Sequence, residues 1–259
     1  MTPAGEAALL YRRPGRAAMP RNLAFRGAKP QKIARRSHRL GDRMDTALAR
    51  QAMVDRQVRP HDVTDRRILS ALLEVPRERF LDSAHAAIAY LDTEVPVSAQ
   101  SARVLLKPIV FGKLLQAAGI GEGERVLDVG CATGYSAAVL ARLAGKVVAL
   151  EEDEALARAA TANLSGIANV SVVTGELTAG WPQGGPYDVI LLEGRSEIAP
   201  EPLCAQLADG GRLLAVIGSM PMGKATIYDR TGKHVTAQPL FDAGAPVLPG
   251  FIKPPEFVF

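Results

Sequence analysis

The stretch Val126-Leu127-Asp128-Val129-Gly130-Cys131-Ala132-Thr133-Gly134-Tyr135 limits what this chain can fold into more than any other part of it. A short apolar, β-branched run of the kind buried inside a sheet ends in small residues and passes at once into a helical pattern over 135–143. That is the junction of a βα unit: glycines let the backbone turn sharply and approach a ligand, and the helix start presents free N–H groups. One such unit cannot stand alone, because a buried parallel strand needs neighbours at its edges and helices on its faces. The chain repeats the unit. Helices are expected over 109–119, 135–143, 153–164 and 202–207, and strands over 125–129, 147–150, 170–173, 187–192 and 212–216. Two more strand candidates, 224–228 and 235–241, lie close enough together for an antiparallel hairpin. The alternation predicts an α/β architecture with a mostly parallel sheet covered on both faces.

The chain before this rhythm reads differently. Residues 45–58 form a helix of mixed polarity, and Thr64 is placed to cap a second one, with Asp65 in its first turn. Ile68, Leu69, Leu72 and Leu73 recur at helical spacing until Pro76. A short segment over 77–90 then leads to Glu94-Val95-Pro96-Val97, with no strand alternation and no catalytic signature. The division expected is a basic extension over 1–43, a helical lobe with a loop over 44–107, and the α/β domain over 108–259 with an irregular tail from Pro246.

The net charge of +4 conceals a strong asymmetry. Residues 1–43 carry 11 Lys and Arg against Glu6 and Asp42, leaving 20 bases and 25 acids, a net of −5, in the rest. Three readings of the basic segment stand open: a disordered extension upstream of Met44, an Arg-rich transit peptide, or a nucleic-acid arm. Only Tyr11 and Phe25 interleave its arginines, which argues against nucleic acid as a partner. No apolar run in the chain approaches the roughly 20 residues of a membrane span either, since the most apolar stretch, 136–150, is cut by Arg142 and Lys146. Two cysteines, Cys131 and Cys204, allow no disulfide framework and no Cys-based zinc site, so a cytoplasmic, reducing setting is expected.

A dinucleotide site would want G-x-G-x-x-G with pyrophosphate on the helix end. Here the spacing is Gly130-x-Ala132-x-Gly134, and Tyr135 stands where the last glycine is needed. Asp128, two residues before the first glycine, repels phosphate and suits a cationic or amine-bearing ligand such as the methionyl end of S-adenosylmethionine. Glu151 closes the next strand, where a carboxylate can accept both ribose hydroxyls, and Gly175-Glu176 follows the strand after that, within reach of an adenine edge. Taken singly, each acid would serve as a strand-end cap or a solvated turn residue. Three at the carboxyl ends of successive strands, beside a glycine turn, point to one ligand.

The order VLDVGCATGYSAAVLARL, VVALEEDEALARAA, NVSVVTGEL, GWPQGGPYDVILLEG and PEPLCAQLADGGRLLAV resembles the protein-L-isoaspartate O-methyltransferase family, within the class I S-adenosylmethionine-dependent enzymes. The likeness runs from about Met53 to Phe241 and includes Val75-Pro76-Arg77-Glu78-Arg79-Phe80 and Ala89-Tyr90-Leu91-Asp92. It implies a Rossmann-like seven-stranded sheet with a reversed terminal strand and S-adenosyl-L-methionine as cofactor, released as S-adenosyl-L-homocysteine. With the acids above, the expected cofactor set is Asp128, Gly130, Cys131, Ala132, Gly134, Glu151, Glu152, Gly175, Glu176 and Leu177. Ala132 replaces the usual middle glycine and Glu176 a usual Asp. The activity implied is methylation of a carboxylate on a damaged protein or peptide, as a step in repair. No oligomeric state can be read from these motifs.

One departure bears on the acceptor. The family's loop of Gly-Gln-Thr-Ile-Ser-x-Pro type supplies hydroxyls, whereas this chain puts Val104 and Leu106 at those places. Ser98 or Ser101 are the available substitutes, and Arg103 and Lys107 are candidate carboxylate anchors. A carboxylate with a pKa of about 3.9 is already ionised at neutral pH, so methyl transfer to it needs neither general base nor metal. The scattered His38, His61, His85 and His234 fit that expectation. Another acceptor, or cofactor binding without transfer, are the alternatives.

Overall fold

The computed structural model describes residues 46–219 and 222–254; the basic segment 1–43 lies outside them. Seven strands form one sheet in the order β5-β4-β3-β6-β7-β8-β9. These are β3 (Arg125–Val129), β4 (Lys146–Glu151), β5 (Val170–Thr174), β6 (Tyr187–Ser196), β7 (Leu207–Ile217), β8 (Gly223–Thr231) and β9 (His234–Ala243). The first five are parallel, with Asp128 beside Ala149 on one side and Leu191 on the other. The reversal at the end of the sheet falls on β8, and β9 pairs antiparallel to it, returning in the direction of the parallel strands. Side chains alternate across each strand, so both faces read as apolar. Val126, Val189, Leu191 and Leu214 enter one core, and Leu127, Val129, Ile190, Leu192 and Leu213 the other.

The lobe shares the first of these cores: Val54, Val58, Val63, Ile68 and Leu72 pack in the same cluster as Val126 and Val189. Helix α1 covers residues 46–53 and passes into a wider turn at Val54–Val58. Helix α2 (Arg66–Glu74) is capped by Asp65, not Thr64: the Asp65 carboxylate accepts the Arg67 N–H at 2.8 Å. The N–H groups of Thr64 and Asp65 both donate to Gln116 Oε1, at 2.6 and 3.1 Å. That glutamine belongs to α3 (Pro108–Ala118), which starts on proline and ends at left-handed Gly119. Arg212 of β7 closes the helix end, donating to the carbonyls of Ala118 and Gly119 and gripping Glu124 with both terminal nitrogens, at 2.7 and 2.8 Å.

Between lobe and sheet runs a two-stranded antiparallel ladder, β1 (Val95–Pro96) with β2 (Val104–Leu105), in a block whose sequence shows no alternation. Its connecting loop carries Ser98, Ser101 and Arg103. Helices α4 (Tyr135–Leu140), α5 (Glu154–Asn163, capped by Asp153) and α6 (Glu201–Cys204) follow the parallel strands. The helix expected over 202–207 is cut short because Leu207 already pairs with Tyr187. The tail turns back over the sheet: Arg195 N–H donates to Pro246 O at 2.8 Å, and Leu248 N–H to Arg195 O at 2.9 Å.

Candidate active site

The glycine turn is wrapped around the end of β4. Gly130 and Cys131 N–H donate to Leu150 O at 2.8 and 3.1 Å, and Ala132 N–H donates to Glu151 Oε2 at 2.8 Å. Gly130, Ala132 and Gly134 all have positive φ (83°, 49° and 96°). A Cβ at Gly134 would lie 2.8 Å from Leu164, so both space and backbone demand glycine there. The next residue, Tyr135, packs between Phe80 and Phe111 at centroid distances of 5.6 and 5.7 Å, under the Arg77 guanidinium at 4.9 Å. Thr133 Oγ1 donates to Phe80 O at 2.6 Å. Tyr135 and Thr133 thus bolt the lobe to the turn.

Asp128 and Glu151 are fully buried. Asp128 Oδ2 accepts from Ser136 Oγ at 2.7 Å, while Oδ1 has no partner. Burial pushes its carboxyl up to about 7; the charge of Glu151 adds to this, against the Ser136 bond and Arg103. Glu151 accepts from four donors, one on Oε2 and three on Oε1. Oε1 accepts the N–H groups of Glu152 and Asp153 at 3.0 and 3.2 Å, and Arg103 Nη1 at 3.3 Å. Arg103 Nη2 donates to Gly130 O at 2.6 Å. The guanidinium therefore spans the gap between the glycine turn and Glu151, and a Cβ on Gly130 would lie 2.4 Å from Nη2.

The other expected residues surround this pair unevenly. Glu152 is half-buried, and burial pushes its carboxyl up against the lowering effect of Arg103. Gly175 N–H donates to Glu151 O at 3.2 Å, and Trp181 lies over that glycine. Leu177 is buried in the second core, whereas Glu176 is exposed and bonded to Thr178. Cys131 and Cys204 are buried thiols whose pKa burial raises, in keeping with packing roles. On the loop, Leu106 is in the core and Val104 half-buried. Ser101 Oγ accepts the Arg103 N–H at 3.0 Å, and Lys107 is 3.5 Å from Glu94.

Three residues at this crest escaped the sequence reading. Glu193 stands two residues past Leu191, which is opposite Asp128, and its Oε1 is buried without a partner. Burial and the charge of Asp128 hold its carboxyl well above the usual carboxylate range, against Arg77 and Arg103. Arg195 is buried and ties the tail, through Ala245 O, to the end of β7, through Gly218 O. Leu248 of that tail approaches both Gly130 and Gly194. The signal available for Glu193 was an acid at the end of a parallel strand, the rule that selected Glu151. Open cavities of about 680 Å³, beside Gln57 and Tyr90, and about 520 Å³, beside Cys204 and Tyr228, lie away from this crest.

A family model described as protein-L-isoaspartate(D-aspartate) O-methyltransferase matches residues 48–241. This chain belongs to that family. A protein-L-isoaspartate O-methyltransferase of Methanoregula boonei is 38% identical over 187 residues, covering 71% of this chain and 85% of that protein. One of Rhodopseudomonas palustris is 38% identical over 180 residues, covering 69% and 73%. A solved protein-L-isoaspartate O-methyltransferase superposes with a TM-score of 0.69 at 26% identity, over 78% of this chain and 66% of its own. A Plasmodium falciparum beta-aspartate methyltransferase in complex with S-adenosyl-L-homocysteine gives 0.63 at 19% identity, over 78% and 97%, a likeness of fold alone. Within the protein-L-isoaspartate O-methyltransferase family, the lobe, the glycine turn and the strands through Phe241 all fall inside the matched span, and the tail that places Leu248 falls outside it.

Proposed function

We propose that this chain is an S-adenosylmethionine-dependent carboxyl methyltransferase that esterifies the α-carboxylate of isoaspartyl residues in proteins or peptides, opening their repair. The observation that carries the reading is the crest at Gly130 and Glu151 in a chain of this family. The residues there fit the cofactor. A buried Asp128 with an orphaned oxygen suits an ammonium group and Glu151 at the end of β4 suits ribose hydroxyls, while the face of Gly130 between them is covered by the Arg103 guanidinium and Leu248.

When bound, S-adenosylmethionine supplies an electrophilic methyl on a sulfonium, and a carboxylate oxygen accepts it with no proton to remove. What the chain must contribute is alignment and exclusion of water. Leu248 and the apolar Val104–Leu106 segment serve the second need, and the fixed glycine turn the first. A second reading, the same cofactor with another acceptor, is favoured by Val104 and Leu106 standing where hydroxyls are usual and by the buried Glu193. The free thiols Cys131 and Cys204 support a cytoplasmic setting. Among the described residues, no helix is long and apolar enough to cross a membrane.

The test is incubation of the purified chain with methyl-labelled cofactor and an isoaspartyl peptide. Volatile labelled methanol, released on hydrolysis of the ester, is the expected result. Calorimetric binding of the cofactor without label transfer would leave a binding protein, and absence of both would remove the assignment.

A further inference from the structure

The Glu151 carboxylate, proposed above as the ribose acceptor, is occupied by a side chain of this same molecule. Arg103 comes from the β1–β2 loop, 48 residues earlier, and its side chain is 10% exposed. Its backbone is pinned by Val97 N–H to Arg103 O at 3.0 Å and by its own N–H on Ser101 Oγ. The side chain is held by Gly130 O at 2.6 Å and by Glu151 at 3.3 Å, so a swing away breaks both bonds.

Of the four donors on Glu151, Arg103 is the most distant at 3.3 Å, and it shares Oε1 with two backbone N–H groups at 3.0 and 3.2 Å. Charge-assisted N–H···O bonds normally close to about 2.7–2.9 Å. This is the contact that a competing donor would displace first. The guanidinium meanwhile offers five N–H donors in a planar fork suited to carboxylates. Among the neighbouring loop groups, Lys107 is engaged by Glu94 and the Ser101 hydroxyl by the Arg103 backbone.

We infer that Arg103 is a displaceable stand-in on Glu151: it leaves when ribose hydroxyls take its place, and the released guanidinium then anchors the acceptor carboxylate. The acceptor site is therefore assembled only after the cofactor site is filled. Because such coupling is reciprocal, an acceptor held by the released Arg103 also tightens cofactor binding. This rests on the proposed ribose role of Glu151.

The test is calorimetric titration of S-adenosyl-L-homocysteine into the wild type, Arg103→Ala and Arg103→Lys, with KM and kcat for an isoaspartyl peptide measured alongside. Both variants should bind the nucleoside about fivefold or more tightly than wild type, since neither holds Glu151 and Gly130 together. For Arg103→Ala, KM for the peptide should rise about tenfold or more, with a much smaller change in kcat, because a charge-assisted anchor is lost. Arg103→Lys should recover much of that KM while keeping the tighter nucleoside binding. Unchanged or weaker nucleoside binding in both variants would overturn the inference and leave the cofactor assignment standing. No binding by any of the three, wild type included, would remove the ribose role of Glu151 itself.

Discussion

Replacing Glu151 by Gln keeps the size of the side chain and removes its charge. The carboxylate accepts Ala132 N–H at 2.8 Å on one oxygen and Glu152 and Asp153 N–H on the other. A Gln amide can satisfy one side only, so its NH₂ faces a backbone donor on the other. One orphaned donor costs about 1–3 kcal/mol, and Arg103 loses its buried partner as well, so stability should fall by about 2–4 kcal/mol. For the cofactor, hydrogen bonds to a charged acceptor contribute about 1.5–3 kcal/mol and neutral ones about 0.5–1.5. Two ribose hydroxyls would then lose about 2–3 kcal/mol, or roughly 30- to 150-fold in affinity. The same substitution weakens the hold on Arg103, which competes for the site, so the net effect in the wild-type background should be smaller, about tenfold or somewhat more. Calorimetry with S-adenosyl-L-homocysteine on wild type, Glu151→Gln, Arg103→Ala and the double variant separates the terms as a cycle. The larger penalty should emerge only where Arg103 is gone. Equal affinities with and without the charge, in both backgrounds, would refute the ribose assignment.

Further expectations attach to single residues. The folded-state pKa of Asp128, raised to about 7 by burial, makes its protonated form the one the fold favours. Its contribution to stability is therefore full below the unfolded value of 3.8 and is lost as pH climbs through about 7. Melting temperatures between pH 4 and 8 should fall less steeply with pH in Asp128→Asn than in wild type, and identical slopes would count against the shift. Ala132 holds a φ of 49°, which costs a residue with a Cβ about 1–2 kcal/mol. After the unfolded-state freedom of glycine is set against this, Ala132→Gly should raise the melting temperature by about 1–4 °C in a thermal scan. Arg212→Ala strips the clamp on Glu124 and the end of α3 and should lower stability by about 2–4 kcal/mol in urea denaturation, with nucleoside affinity unchanged.

The strands were legible where β-branched runs end on glycine, as at Arg125–Val129, because burial on both faces leaves a continuous apolar signature. What failed to show in sequence was set by distant partners. Asp65 caps α2 while Gln116, more than fifty residues on, takes the Thr64 N–H. Strand β6 reads as ending at Leu192, yet it continues to Ser196, where Arg195 finds partners in the tail at Pro246 and Leu248. The acids Asp128 and Glu151 were legible from their places at strand ends, and their burial follows from the sheet. No local pattern announces that Arg103 would reach across to Glu151, because a guanidinium in a short loop looks the same whether it faces water or a buried carboxylate.

A crystal structure of the chain grown with S-adenosyl-L-homocysteine tests the account at its centre. The nucleoside should lie across the Gly130 turn with both ribose hydroxyls within hydrogen-bonding distance of the Glu151 carboxylate. Density for the nucleoside elsewhere, or a crest that stays bare at saturating ligand, would contradict it.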